Sequence, residues 1–238
     1  MTKQSDHSPA AARNRAPVGL TRDDVIDTAL EVLDDEGLDR VSLRRVAERL
    51  AVRPNTVAWH VGDKATLLEA MRDRLLTSCL EDPLPVDPEQ RARTLLRRLR
   101  RGLLSHRDGA RLTMETPLFT SQRQLALSDA VLAAMLETDR SLREVAWTVQ
   151  TLIYFILGLV QEQQGSRART GEYRDRDVTV DPSLYPAVAA VTPYLGERDF
   201  DARFEYGVEL ILCGSTPPLV RPAKTPARSR TRPARRQA

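Results

Sequence analysis

His106, Arg107 and Asp108 spell the triplet that places the catalytic base of protein kinases, so the first chemistry to weigh is phosphoryl transfer. That chemistry also needs an asparagine five residues beyond the aspartate, a glycine-rich phosphate loop and a DFG triplet. Thr113 stands at the asparagine position, and the loop and triplet are missing from the chain. The histidines are His7, His60 and His106, and none sits in a nucleophile motif. Cys79 and Cys213 lie far apart, without metal or redox spacing, and read as core thiols of a reducing cytoplasm. The chain therefore reads as a non-enzyme with no catalytic residue, metal or cofactor. Ser105 to Gly109 reads as a helix-end turn at a domain junction, where Arg107 pairs with Asp108 and Gly109 releases the chain.

A second constellation has a different chemistry. Leu43, Val46, Ala47 and Leu50 recur at i, i+3, i+4 and i+7, one buried helical stripe, with Arg44, Arg45, Glu48 and Arg49 outward. After a short break at Ala51 and Val52, Pro54 suits the first turn of a new helix that Val57 and Val61 anchor. Asn55, Thr56, Ala58, Trp59 and His60 then point away. An outer face of amide, hydroxyl, methyl and aromatic groups on a two-turn helix can read base edges and touch phosphates.

The flanks supply the elements that would hold this pair. Thr21 and Asp24 form a capping-box pattern, Val25, Ile26, Ala29, Leu30 and Leu33 a stripe, and Gly37 a stop. Asp63 caps a fourth helix whose stripe of Leu67, Leu68, Met71, Leu75 and Leu76 runs on to Leu80. Further helices are expected from about Asp87 to Ser105, Ala110 to Glu115, Ser121 to Glu137, Ser141 to Gln164, Pro182 to Leu195 and Phe200 to Cys213. Gly165 to Asp181 has the composition of a mobile loop. The fold class is all-α, an N-terminal three-helix domain followed by a larger helical one.

This plan resembles the tetracycline-repressor family. The resemblance rests on ALEVLDDEG at Ala29 to Gly37, on VSLRRVAERLAV at Val41 to Val52, and on Thr56, Trp59, His60, Val61 and Lys64. It extends to LLSHRDGA at Leu103 to Ala110 and GLVQE at Gly158 to Glu162, which are similar to the C-terminal domain of the tetracycline repressors themselves. The resemblance implies a dimeric regulator, most simply a repressor, that binds a double-stranded DNA operator of inverted-repeat form. It implies DNA contacts at Arg44, Pro54, Asn55, Thr56, Trp59, His60 and Lys64, with Arg44 suited to a bidentate bond to guanine. Ala58 replaces a tyrosine of the tetracycline repressors, and Arg53 and Asn55 replace their acid and proline, so a different operator is expected.

The second domain departs further. Leu80, Thr94 or Leu95, Val131 and Thr113 stand where the tetracycline repressors hold drug and magnesium with polar groups and imidazoles. A largely apolar small-molecule effector is expected instead, lined by Leu80, Leu95, Leu99, Thr113, Thr116, Val131, Trp147, Gln150 and Tyr154. Val145, Val149, Leu152, Phe155, Ile156 and Leu159 make the helix near 141–164 apolar on more than one face. With the helix near 200–213 it is expected to form the homodimer interface. The alternative is a DNA-bound adaptor that recruits a protein partner and ignores small molecules.

The 36 basic and 33 acidic residues leave a net charge of +3. From Pro217 onward Arg221, Lys224, Arg228, Arg230, Arg232, Arg235 and Arg236 stand without an acidic residue, so the remainder is slightly acidic and specificity must come from placed residues. The expected organisation is a disordered arm over 1–18, a DNA-binding domain over 19–66, an effector and dimerisation domain over 67–216, and a disordered basic tail over 217–238. The N-terminal stretch does not read as a signal peptide, and the apolar run Val145 to Val160 is shorter than the roughly 20 residues a bilayer needs, so no membrane association is expected.

Overall fold

The computed structural model describes residues 19–168, 180–195 and 197–214. The expected arm and tail, and most of the expected loop after residue 165, lie outside them. Ten α-helices and two 3-10 turns form the described chain, and no strand occurs among the described residues.

Helix α1 (Arg22–Glu36) starts at the expected capping box: the Thr21 hydroxyl accepts the Asp24 N–H at 3.1 Å, and the Asp24 carboxylate accepts the Thr21 N–H at 2.8 Å. It stops at Gly37, whose φ of 85° suits glycine. A 3-10 turn (Leu38–Arg40) leads to α2 (Leu43–Arg49), capped by Ser42, and then to α3 (Pro54–Val61) with proline in its first turn. The reversal between α2 and α3 puts Ala51 at a φ of 54°. Val25, Ala29, Leu33, Val46, Val57 and Val61 close one core with Leu67 and Met71 of α4 (Lys64–Leu75).

The fourth helix is shorter than its apolar stripe suggests. It ends at Leu75, and a 3-10 turn (Thr77–Leu80) replaces its expected last turn. Tightening the chain there frees carbonyls that need donors. The Arg98 guanidinium supplies them, donating to the carbonyls of Cys79 at 3.4 Å, of Pro83 at 3.1 Å and of Glu81.

The larger body comprises α5 (Pro88–Leu104), α6 (Gly109–Glu115), α7 (Gln122–Leu136), α8 (Leu142–Ala168), α9 (Pro186–Leu195) and α10 (Phe200–Cys213). Leu95, Leu96, Leu99, Leu103, Val131, Met135, Leu152, Ile156, Val160, Phe204, Val208 and Leu212 form its core. Buried Arg93 of α5 reaches Glu89 at 2.6 Å and Glu209 at 2.7 Å, and Arg97 reaches Glu205 at 2.6 Å, so an ion-pair ladder joins α5 to α10. Helix α9 begins at Pro186 rather than Pro182, because Asp181 folds back to accept the Ser183 N–H at 2.8 Å and holds a turn first. Helix α8 runs to Ala168, past the expected Gln164. Its stretch Leu142–Gly165 is long and apolar enough to cross a membrane, at mean hydropathy 1.3, so run length by itself does not exclude a span. In the fold it packs on α5, α6, α7 and α10.

The two cores meet at α6. Leu112 is buried in the N-terminal core, while Ala110, two residues earlier, is buried in the core of the larger body.

Candidate functional site

The outer face of α3 is free of the core that holds its inner face. Val57 and Val61 are buried, whereas Pro54 and Asn55 are exposed and Trp59 is 81% exposed. His60, half-buried, stands edge-on to the Trp59 ring at 4.7 Å, and Thr56 and Ala58 are half-buried. Lys64 is exposed at the start of α4. An exposed indole ring on a rigid two-turn helix offers a flat apolar surface with one N–H donor. Arg44 extends from the neighbouring helix with its side chain 83% exposed, its Nε donating to Glu48 at 2.9 Å. A surface pair so exposed holds little free energy, which leaves the guanidinium available to a stronger acceptor.

Beneath these groups α2 is fastened to α1. Arg45 reaches Glu36 at 2.7 Å, and Arg49 reaches Asp35 at 2.6 Å. The hydrogen bond from Arg45 holds the Glu36 carboxyl below its ordinary value.

The turn around His106 is the principal polar joint between the two parts of the chain. Asp34, near the end of α1, accepts the Arg107 N–H at 2.8 Å and stands 2.8 Å from His106 Nδ1. Asp108 holds the left-handed backbone before α6, at φ 54°, and accepts the Leu38 N–H at 3.0 Å. Arg111 spans Asp39 at 2.5 Å and Glu115 at 2.8 Å, and that guanidinium keeps the Asp39 carboxyl low. From the other side, Gln164 of α8 donates to the carbonyls of Leu103 at 3.0 Å and His106 at 2.8 Å. Arg107 and Asp108 themselves are 3.9 Å apart, so the pair expected from their adjacency is marginal. Their stronger bonds cross to the N-terminal part, Arg107 to the Asp34 carboxylate and the Asp35 carbonyl at the end of α1 and Asp108 to the Leu38 N–H of the 3-10 turn. The partners 70 or more residues upstream give no local signal in the sequence.

The expected effector-lining residues divide. Leu95, Leu99 and Val131 are buried in one core, and Leu80 packs against it. Thr116 is buried with its hydroxyl donating to the Leu112 and Thr113 carbonyls, and the Thr113 hydroxyl donates to the Gly109 carbonyl. Gln150 is half-buried. Trp147 and Tyr154, however, are 55% and 67% exposed and do not line the interior of this protomer. The helical period turns Trp147, Thr151, Tyr154 and Gly158 to the face opposite Val145, Leu152 and Ile156. The Thr113 hydroxyl is bonded within its own helix, and Glu162 pairs with Arg203 at 3.2 Å.

A two-helix reader with a bare outer face, joined through one shared helix to a larger all-helical body, defines a helix-turn-helix DNA-binding regulator with a ligand-binding domain. Residues 25–71 match the bacterial regulatory proteins of the tetR family, and residues 84–216 match the tetracyclin repressor-like C-terminal domain. The class C tetracycline repressor protein of Escherichia coli is 34% identical over 200 residues, covering 82% of this chain and 90% of the relative. An HTH-type transcriptional regulator of Saccharopolyspora erythraea is 28% identical over 232 residues, covering 90% and 94%. Among solved structures, ActR of Streptomyces coelicolor in complex with actinorhodin is similar at a TM-score of 0.70 and 26% identity, covering 82% of this chain and 95% of that one. BioQ of Mycobacterium smegmatis gives 0.62 and 27%, covering 82% and 96%. The chain belongs to the TetR family of transcriptional regulators. Its relatives are regulators rather than enzymes.

Proposed function

We propose that the chain is a homodimeric repressor of an inverted-repeat operator, released by a small and largely apolar effector in the cytoplasm. Arg44, Pro54, Asn55, Thr56, Trp59, His60 and Lys64 form its DNA face. Ala58, in place of a tyrosine, sets an operator different from that of the tetracycline repressors. Residues 19–66 act as the reading domain, and 67–216 as the effector and dimerisation domain. The dimer face is the exposed stripe of Trp147 and Tyr154 on α8 beside Tyr206 and Leu210 on α10, at 71% and 58% exposure. Four large apolar groups on two adjacent helices are the central material of an obligate interface, which typically buries more than about 2,000 Å². A two-fold axis then holds two α3 helices at the roughly 34 to 36 Å repeat of successive major-groove faces.

The observation that carries the reading is the double membership of α6, with Leu112 in one core and Ala110 in the other. An effector seated among Leu80, Leu95, Leu99, Thr113, Thr116, Val131 and Gln150 bears on α6, and α6 cannot shift without disturbing the seat of α4. A coupling of about 1 to 3 kcal/mol suffices to weaken DNA binding roughly 5- to 150-fold. The test is fluorescence anisotropy on a duplex that the full-length chain selects from a random-sequence pool. Lipophilic polycyclic compounds are then titrated, beginning with actinorhodin, which the similar ActR structure holds. Release by one member of the panel supports the proposal. Unchanged affinity with every compound favours the adaptor reading.

A further inference from the structure

Arg72 is among the largest fully buried side chains of the described residues, at 0% exposure, and no part of the DNA face or effector set uses it. It sits on the apolar stripe of α4, between Leu68 and Leu75, where the pattern calls for a hydrophobic residue. Its partners lie on the turn that links α6 to α7. Nη1 donates to the Pro117 carbonyl at 2.8 Å and Nη2 to the Thr120 hydroxyl at 3.2 Å. The nearest carboxylate, Asp73, is 3.7 Å away and is itself bonded by the Ser121 hydroxyl at 2.6 Å. Nε finds no acceptor among the described residues. The turn is held tightly on its own side: Phe119 has a φ of 62°, and its N–H donates to the buried Gln124 at 2.8 Å.

Resting on the repressor reading above, we propose that Arg72 is a positioning residue that makes α4 follow the α6–α7 turn. With Nε already unmatched, this buried guanidinium keeps its charge compensated mainly through the Pro117 carbonyl and the Thr120 hydroxyl, and losing them would leave an orphaned charge in the interior, which is severely unfavourable. The Pro117 and Thr120 acceptors are therefore not optional contacts. If an effector draws the turn away, the lowest route open to the molecule carries Arg72, and α4 with it, in the same direction. Because α4 is packed on α1 and α3, this displacement reaches the reading helix. Asp73 and Ser121 add a second bond between the same two elements, so helix and turn move as one piece. The two ends of α6 are thus gripped separately, the first by Gln164 and the acidic end of α1, the second by Arg72.

Coupling is reciprocal, so it can be read without the effector. The probe is the selected duplex alone, and the readout is amide hydrogen exchange over 109–121 in the full-length dimer with and without DNA. In the wild type, DNA binding is expected to slow exchange across this segment, although it lies outside the DNA face. In Arg72→Met the duplex still binds, but its effect on 109–121 falls to less than a third, while exchange on α3 still slows. Arg72→Lys, which keeps the charge and one donor to Pro117, recovers part of the effect and also serves should the methionine variant not fold. A purely structural role would lower the melting temperature and leave the DNA-dependent difference intact, which overturns the proposal. If the wild type shows no such difference while binding DNA, the coupled-repressor reading itself fails.

Discussion

Gly102 lies where α5 crosses the end of α4, and replacing it by alanine tests how the two parts of the chain are seated. A Cβ at this position would stand 2.3 Å from the Leu75 carbonyl oxygen, 3.3 Å from its carbon and 3.8 Å from Cys79 Sγ. The clash is with backbone, so no side chain can rotate away, and α5 must lift by about 1 Å to restore an ordinary contact. Overpacking of this kind is unfavourable by about 1–3 kcal/mol, at the upper end where backbone must shift. Alanine returns about 1 kcal/mol through its better helix propensity. The net expectation is a loss of about 2 kcal/mol, opposite in sign to the gain at an uncrowded helical glycine. For a chain of this size it corresponds to a fall of roughly 4–8 °C in melting temperature, measured by circular dichroism at fixed protein concentration. A melting temperature equal to or above the wild type would show that α5 and α4 are not in contact here, and the seat of the lever would have to be redrawn.

Acidification loosens two joints, the one from α1 to α2 at Glu36 and Arg45 and the one from the Leu38–Arg40 turn to α6 at Asp39 and Arg111. The Glu36 and Asp39 carboxyls titrate lower in the folded chain than their ordinary 4.5 and 3.8, so their contribution is complete above those values and disappears as pH falls through the lower folded ones. The urea midpoint is expected to fall below about pH 4.5, and Arg111→Met, which frees Asp39, to flatten that fall; parallel profiles would contradict this assignment. Burial pushes the Cys79 thiol up to about 11, whereas Cys213 is exposed and held by Glu209 at 3.0 Å. Native chains are expected to give at most one reactive thiol to a disulfide reagent at pH 8, and the second only in denaturant. Leu210→Glu places a charge on the proposed dimer face and is expected to shift sedimentation at micromolar concentration to the monomer, with helicity retained; an unchanged dimer would place the interface elsewhere.

The helical plan is readable because its signals are local. Thr21 with Asp24 and Ser141 with Glu144 mark helix starts, and both reciprocal caps form, the Ser141 N–H donating to Glu144 at 2.7 Å. The stripe Leu43, Val46, Ala47 and Leu50 predicts α2 because its neighbours lie one turn away. What cannot be read depends on residues distant in sequence. Arg72 looks like an error in a stripe until Pro117 and Thr120, 45 and 48 residues on, come into view. Cys79 and Leu80 continue a helical period, but they lie in a 3-10 turn whose freed Cys79 carbonyl is met by Arg98, 19 residues on. Trp147 and Tyr154 share the apolar character of Leu152 and Ile156, and only the placement of α5, α7 and α10 decides which face the body covers.

The central claim is that paired α3 helices read DNA through Trp59 and Arg44. Sedimentation of the wild-type complex with its selected duplex, alongside anisotropy titrations of Arg44→Ala and Trp59→Ala, tests it most directly. Two chains per duplex are expected, with Arg44→Ala losing about 1–3 kcal/mol of binding, roughly a 5- to 150-fold rise in Kd, and with Trp59→Ala also weakened. One chain per duplex, or wild-type affinity in both variants, would contradict the account.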